Sequence, residues 1–243
     1  MAIFLPVYLT AQENAEEKWG YMYLNVNFQV GIPMEAFNDY LDVPGVGGGG
    51  LFLLPIKREL PLTFGAEFSA MTYASESQNF TSTIGGFTRD FRFTTSNNIF
   101  LGHVVVRIQP PVNSVFRPYL DGMVGFKNLY TRNRLEETFN DGGDEIDESK
   151  TVKGDWAFSY GGAVGLQLAV FRNKGIMIDL RCAYLPGSNA SYLVRKDNVN
   201  FDFNNPLDSF DERKSPTTIL LPQIGITFDI NFNAPEEEMP YDD

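Results

Sequence analysis

Residues 22–32 read Met-Tyr-Leu-Asn-Val-Asn-Phe-Gln-Val-Gly-Ile. The even positions, Met22, Leu24, Val26, Phe28, Val30 and Ile32, are all apolar. Between them stand Tyr23, Asn25, Asn27, Gln29 and Gly31, which are polar or small. A strand turns successive side chains to opposite faces, so this stretch predicts a strand with one apolar and one polar face.

The same alternation returns along the chain. It marks Leu62–Ala70, Phe100–Ile108, Leu120–Lys127, Phe158–Val170, Ile176–Tyr184 and Leu220–Phe232. A glycine-rich segment, Val46–Ile56, reads less clearly and makes the eighth strand. The connections alternate in length. Lys57–Pro61, Gln109–Arg117 and Arg172–Gly175 are short, whereas Met34–Gly45, Ala74–Asn97, Thr131–Asp155 and Pro186–Pro216 are long. Short turns at one rim and long loops at the other are the rhythm of an up-and-down barrel. The expected fold is therefore all-β: an eight-stranded antiparallel up-and-down transmembrane β-barrel.

The transmembrane part follows from volume. The polar faces of these strands are rich in Gly, Ala, Ser and Asn, while the apolar faces carry large side chains. An eight-stranded barrel has an interior only wide enough for side chains. It can hold the small, polar set inside, which turns the large apolar set outward into lipid. The competing arrangement is a soluble lipocalin-like barrel with its apolar side inward.

Composition narrows the function. The chain has 243 residues, with 43% hydrophobic and 14% aromatic, which is a folding rather than a disordered composition. Nineteen Lys and Arg against 31 Asp and Glu give a net charge of −12, so no nucleic-acid partner is expected. One cysteine, Cys182, and one histidine, His103, exclude an internal disulfide and every motif that needs two of either. No catalytic set, cofactor or metal site is expected. The acidic run Asn140–Glu148 lacks the spacing of a calcium loop and reads as a solvated charge cluster.

Three segments carry a family resemblance. Arg117-Pro118-Tyr119-Leu120-Asp121-Gly122 resembles the opening of a mid-barrel strand, and Ser159-Tyr160-Gly161-Gly162-Ala163-Val164-Gly165 resembles the glycine-rich strand that follows it. Ile224, Ile226, Phe228, Ile230 and Phe232 are similar to the terminal signal read by barrel-insertion machinery. Together the chain resembles the small eight-stranded outer-membrane barrels of Gram-negative bacteria, of the OmpA/OmpX-like kind. The resemblance implies a bacterial outer-membrane location, contact with outer-membrane lipid, and insertion by that machinery. Other outer-membrane or periplasmic proteins are further expected partners.

The segments are expected to divide as follows. Residues 1–12 resemble a truncated signal peptide with cleavage near Ala11–Gln12, and 13–18 form a short leader. The barrel runs over 19–232, and 233–243 form an acidic periplasmic tail, a departure from the family pattern, where the signal ends the chain.

Position along the strands places Glu67, His103, Arg107, Asp121, Lys127, Asp179, Arg181 and Asp229 in the lumen. Opposite charges in so narrow a space should pair and plug it. Trp19, Tyr119, Trp156 and Tyr184 are expected at the membrane interfaces. His103 has no serine near it in sequence, so the histidine reads as structural. The expected function is non-enzymatic binding, or an accessory role in a larger outer-membrane complex. It would act through the long loops, with Pro186–Pro216 the largest, or through the tail. A lipid-modifying enzyme and a soluble ligand carrier are the alternatives.

Overall fold

Tyr21–Pro33 forms a strand, β1, with Val26 and Phe28 more than half exposed and Asn25, Asn27 and Gln29 buried. The apolar face therefore looks outward and the amide face inward. The computed structural model describes residues 21–41, 43–56, 60–84, 87–110, 114–138, 147–171, 175–196 and 210–231. The remaining strands are β2 (Gly45–Pro55), β3 (Leu62–Ile84), β4 (Phe87–Ile108), β5 (Phe116–Thr138), β6 (Asp147–Phe171), β7 (Ile176–Leu185), β8 (Asn189–Arg195), β9 (Phe210–Pro216) and β10 (Ile219–Asn231). One 3₁₀ turn, Glu35–Phe37, follows β1.

Eight of these strands close a barrel in the order β1-β10-β7-β6-β5-β4-β3-β2, antiparallel throughout. Closure by β1 on β10, from Tyr21↔Asn231 to Pro33↔Ile219, leaves the barrel no open edge. The other two strands, β8 and β9, pair with each other as a separate hairpin from Asn189↔Pro216 to Arg195↔Phe210.

Two expected loops are strands instead. Ala74–Asn97 continues β3 and β4 as a paired hairpin, and much of Thr131–Asp155 continues β5 and β6. The four strands rise out of the barrel wall as a tower. Water meets both faces there, so the apolar alternation disappears while the pairing persists. Hydroxyl pairs replace it, with Ser75 Oγ 3.3 Å from Ser96 Oγ, Ser77 Oγ 2.9 Å from Thr94 Oγ1, and Thr81 donating to Asp90 at 2.6 Å. A register shift at Thr72/Ala74 also breaks the phase of the pattern. The third expected loop, Pro186–Pro216, holds the β8–β9 hairpin.

Several expectations fall outside the described residues: the signal and leader segments, Trp19, Phe232, the acidic tail, and most of the acidic run at 139–146.

Candidate functional site

The lumen is filled from wall to wall. Glu67 (β3), His103 and Arg107 (β4), Asp121 and Lys127 (β5), and Asp179 and Arg181 (β7) are all buried and point inward. Three cations and three carboxylates among them cancel. Arg107 grips Asp121 with two prongs, Nε to Oδ1 at 2.7 Å and Nη2 to Oδ2 at 2.9 Å. Arg181 on β7, with only β6 between, comes to the same carboxylate, Nε to Oδ2 at 2.9 Å, and reaches across the barrel to donate to Glu67 Oε1 at 2.8 Å. Asp179 accepts from Tyr119 at 2.5 Å, from Gln167 at 3.0 Å and from Thr227 at 3.0 Å. Gln223 joins Arg181, Glu67 and Gln29. Forked guanidinium–carboxylate contacts hold their geometry firmly. Asp229 stands apart from this cluster. It faces inward but lies half-buried at the short-turn rim, where its amide donates to Gly175 O at 2.8 Å.

Tyr119 is a correction. The sequence reading put it at a membrane interface, yet it is 3% exposed and lies inside. It shares a face with Asp121, two residues on. Its ring lies 3.5 Å beneath the Arg107 guanidinium and packs where a side chain on Gly165 would otherwise stand. Arg107 and Asp179 satisfy its π face and its hydroxyl, which removes any need for the interface.

His103 meets a serine that lies far from it in sequence. Its Nε2 lies 2.8 Å from Ser159 Oγ, although the two are 56 residues apart. They sit on β4 and β6, and the residue between them on β5 is Gly125, paired to both. Only a residue without a side chain lets the imidazole reach across β5. Ser159 is fully buried and His103 is 3% exposed, so the pair faces a packed interior. Sequence position offered only the inward face of each residue and could not reveal the contact.

Toward the long-loop end the lumen turns apolar. Met71, Ile99, Leu129, Leu185, Ile219 and Leu221 form one buried cluster with Phe37 and Tyr192 from outside the barrel wall. The β8–β9 hairpin lies over this cluster as a cap. Phe37 meets Tyr192 edge to face at 5.1 Å, and the Tyr192 hydroxyl lies 2.8 Å from Ser215 Oγ. Asn97 donates to Leu193 O at 3.1 Å. Lys127 ties the root of the cap by donating to Leu185 O at 2.7 Å and to Thr217 O.

Two carboxylates fasten the cap from the water side. Asp155 accepts from the Ser191 amide at 2.7 Å and the Trp156 amide at 2.9 Å. The Ser191 amide holds the Asp155 carboxyl below its ordinary range. Glu212 accepts from Lys153 at 2.8 Å, and that contact lowers the Glu212 carboxyl as well. Among the described residues no cluster of His, Cys, Asp and Glu has the makings of a metal site.

The outer wall is apolar. Phe64, Val104, Val106, Leu120, Phe158, Val164, Ile224, Ile226 and Phe228 all stand exposed around it. Phe68, Phe100, Phe126 and Trp156 form an aromatic row over four neighbouring strands, at centroid spacings of 6.4, 6.1 and 5.1 Å. Trp156 is 61% exposed and closes that row well inside β6, nine residues after its start at Asp147. Tyr184, also exposed, donates to Glu35 Oε1 at 2.7 Å at the long-loop margin. Ile224, Ile226 and Phe228 of the expected insertion signal face outward, and Ile230 is half-buried. In water such a wall would be an aggregation surface, whereas on a closed sheet in lipid every backbone group is satisfied and the apolar side chains meet hydrocarbon.

No family model and no curated protein matches the chain. Among solved structures, Neisserial surface protein A (NspA) is similar over 88% of this chain and 99% of its own, at 11% identity and a TM-score of 0.38. Ail, the attachment invasion locus protein of Yersinia pestis, solved with the heparin analogue sucrose octasulfate, is similar over 87% and 99%, at 14% identity and 0.34. OprG of Pseudomonas aeruginosa is similar over 88% and 97%, at 12% identity and 0.39. The closed eight-stranded sheet, the apolar wall with its aromatic row and the charge-filled lumen give this chain the architecture of a transmembrane β-barrel.

Proposed function

We propose that the protein is a non-enzymatic outer-membrane barrel with a closed lumen, and that it acts by binding on its long-loop side, as an accessory subunit of a larger outer-membrane complex. The cap carries this reading. A barrel whose mouth is covered by its own β8–β9 hairpin and whose interior is cross-linked by ion pairs has no path for solute. Its working surfaces are then the cap and the four-stranded tower, presented by a rigid wall. Barrels of this kind keep short turns in the periplasm and long excursions outside, which sets the tower on the cell surface. The start of β1 and the end of β10 lie together at the short-turn rim, which on this reading is the periplasmic one. There the acidic tail is the second candidate docking element.

The test is native mass after mild-detergent extraction of a tagged copy from the membranes of its own host. A particle well beyond one barrel and its micelle is expected, and its other components would identify the assembly. A monomer in every detergent tried would overturn the subunit role.

One observation favours the runner-up, a lipid-modifying enzyme: the His103–Ser159 contact. Against it, both groups lie in the packed lumen, and a nucleophile must be within reach of its substrate. A fluorophosphonate probe should leave Ser159 unlabelled in the folded protein. Stoichiometric labelling there would reverse the assignment.

A further inference from the structure

The cap leaves the barrel and returns to it through two roots that lie side by side. One is Tyr184 and Leu185, where β7 ends, and the other is Thr217 and Thr218, just before β10 begins. The chain at the roots is bonded together, Thr217 N to Gly187 O at 3.3 Å and Thr217 Oγ1 to Ser188 O at 3.2 Å. The approach is so close that a Cβ on Gly187 would stand 2.1 Å from Thr217 Oγ1. Beyond the roots, β8 and β9 form a sheet of their own outside the barrel ladder, so the hairpin can turn on its roots as a unit.

Two side chains of opposite charge bridge these same roots from opposite sides of the wall. From the lumen, the buried Lys127 ammonium donates to Leu185 O at 2.7 Å and to Thr217 O. From the water side, the exposed Glu35 carboxylate accepts from the Tyr184 hydroxyl at 2.7 Å with Oε1 and from the Thr218 hydroxyl at 3.2 Å with Oε2. Glu35 opens the 3₁₀ turn that also carries Phe37, the residue that meets Tyr192 of the cap. Its backbone is strained. Among the described residues it is the one non-glycine with a positive φ, +55°. A residue with a Cβ is disfavoured there and stays only where surrounding contacts hold it.

We propose that Glu35 is a sprung latch on the cap. With its carboxylate bonded to both roots, the hairpin is shut over the apolar cluster of Met71, Ile99, Leu185 and Ile219. When those two bonds part, the backbone at Glu35 relaxes out of the left-handed region. The turn then draws Phe37 away from Tyr192, and the hairpin swings on the roots that Lys127 still holds. The outer clamp is the one that gives, because water and a partner reach it, whereas Lys127 is sealed in the lumen. Strain present in the shut state alone narrows the gap between shut and open. The latch regulates the binding surface assigned to the cap above, and its purpose rests on that reading.

The test reads cap opening on the full-length protein in dodecyl maltoside micelles, by hydrogen exchange at the amides of Ala190, Ser191 and Tyr192. The urea midpoint of the barrel is measured beside it. Glu35→Ala removes both bonds and keeps the strain, and exchange should rise about tenfold, the scale of losing hydrogen bonds to a charged group. Glu35→Gly removes the same bonds and the strain with them, so exchange should rise less, about threefold. Tyr184→Phe with Thr218→Val takes away the two donors and should match Glu35→Ala, and adding Glu35→Ala to that pair should change nothing further. The barrel midpoint should stay in place throughout. An unchanged Glu35→Ala, a glycine variant that opens as readily as the alanine one, additive effects of the carboxylate and its donors, or a midpoint that falls in step with cap protection would each overturn the latch. None of these readings needs a partner, so a protein found monomeric on extraction from its host would strike the subunit role and not the latch.

Discussion

Arg107 and Asp121 face each other across the seam of β4 and β5 as a two-pronged ion pair, at 2.7 and 2.9 Å, with both side chains almost fully buried. Asp121 is also the carboxylate that Arg181 approaches from β7. One side chain therefore ties together two cations from distant parts of the wall. Removing it leaves both guanidiniums short of a counter-charge where water is excluded. Asp121→Asn should destabilise the barrel by about 3 kcal/mol, since breaking a buried pair strands a charge. Arg134→Ala, which breaks the partly exposed pair with Glu136 at 2.9 Å, should cost no more than about 1 kcal/mol. Urea unfolding in micelles compares the two. A near-neutral Asp121→Asn would mean that the lumen network adds little.

The barrel strands were legible because lipid on one side and a narrow lumen on the other keep period-two alternation intact, as in β1 and β10. The inward position of Arg107, Asp121 and Arg181 was legible for the same reason. Their pairing was not. Glu67 and Arg181 meet over 114 residues of sequence, and only the strand order brings them together. Tyr119 was misplaced by residue type, because an aromatic ring serves a rim and a cation equally well, although its parity with Asp121 pointed inward. The tower was missed because strands wetted on both faces carry no hydrophobic period. There Ser77 and Thr94 reveal pairing only once the register is known.

Gly125 offers a sharper test of the lumen packing. A Cβ at this position would stand 2.0 Å from Gly102 O and 2.7 Å from the His103 Cα, both backbone atoms that cannot rotate away. Gly125→Val would thus force β4 and β5 apart and push His103 off Ser159. The expected cost is about 3 kcal/mol or more, at the upper end for overpacking. Ser159→Ala, which removes the hydrogen bond without adding volume, should cost only about 1 kcal/mol. Refolding yield and urea midpoint distinguish them. Equal losses would mean that the hydrogen bond, and not the space, is what Gly125 protects.

Lys127 makes a prediction about the cap. Its ammonium is fully buried and donates to Leu185 O, where β7 ends, and to Thr217 O, just before β10 begins. These two carbonyls bracket the excursion that carries β8 and β9. Lys127→Met keeps much of the volume and removes both donors, so two buried carbonyls lose a partner. Each unsatisfied group costs about 1–3 kcal/mol. The hairpin should then open more often than the barrel unfolds, and limited proteolysis within Pro186–Pro216 should speed up while the barrel core stays resistant. Unchanged cleavage would show that the Phe37–Tyr192 contact and its apolar neighbours hold the cap unaided.

The closed lumen predicts electrical silence. With Arg107, Arg181 and their carboxylates filling the section between β3 and β7, reconstituted protein should give no reproducible large steps in planar bilayers. Eight strands leave no aqueous channel once side chains occupy the interior. Steps of porin size from pure protein would mean that the cap and the ion pairs part under voltage, and the binding-only role would fall with them.

The fastening of the cap depends on pH in a definite direction. The Ser191 amide keeps the Asp155 carboxyl below its ordinary range, and Lys153 does the same for Glu212. A carboxylate depressed in the folded state contributes its stabilisation in full above its unfolded value, near 4, and loses it as pH falls through the lower folded value. The cap should therefore hold equally well at pH 7 and pH 5 and loosen only below about pH 4. Hydrogen exchange at the Ser191 amide reads this directly, once corrected for the intrinsic rate. Protection should be flat at neutral pH and fall in acid. In Asp155→Asn it should be lower at neutral pH, because the acceptor there has lost its charge, and the acid step due to Asp155 should vanish. A cap that loosens instead between pH 5 and 7 would point away from both carboxylates.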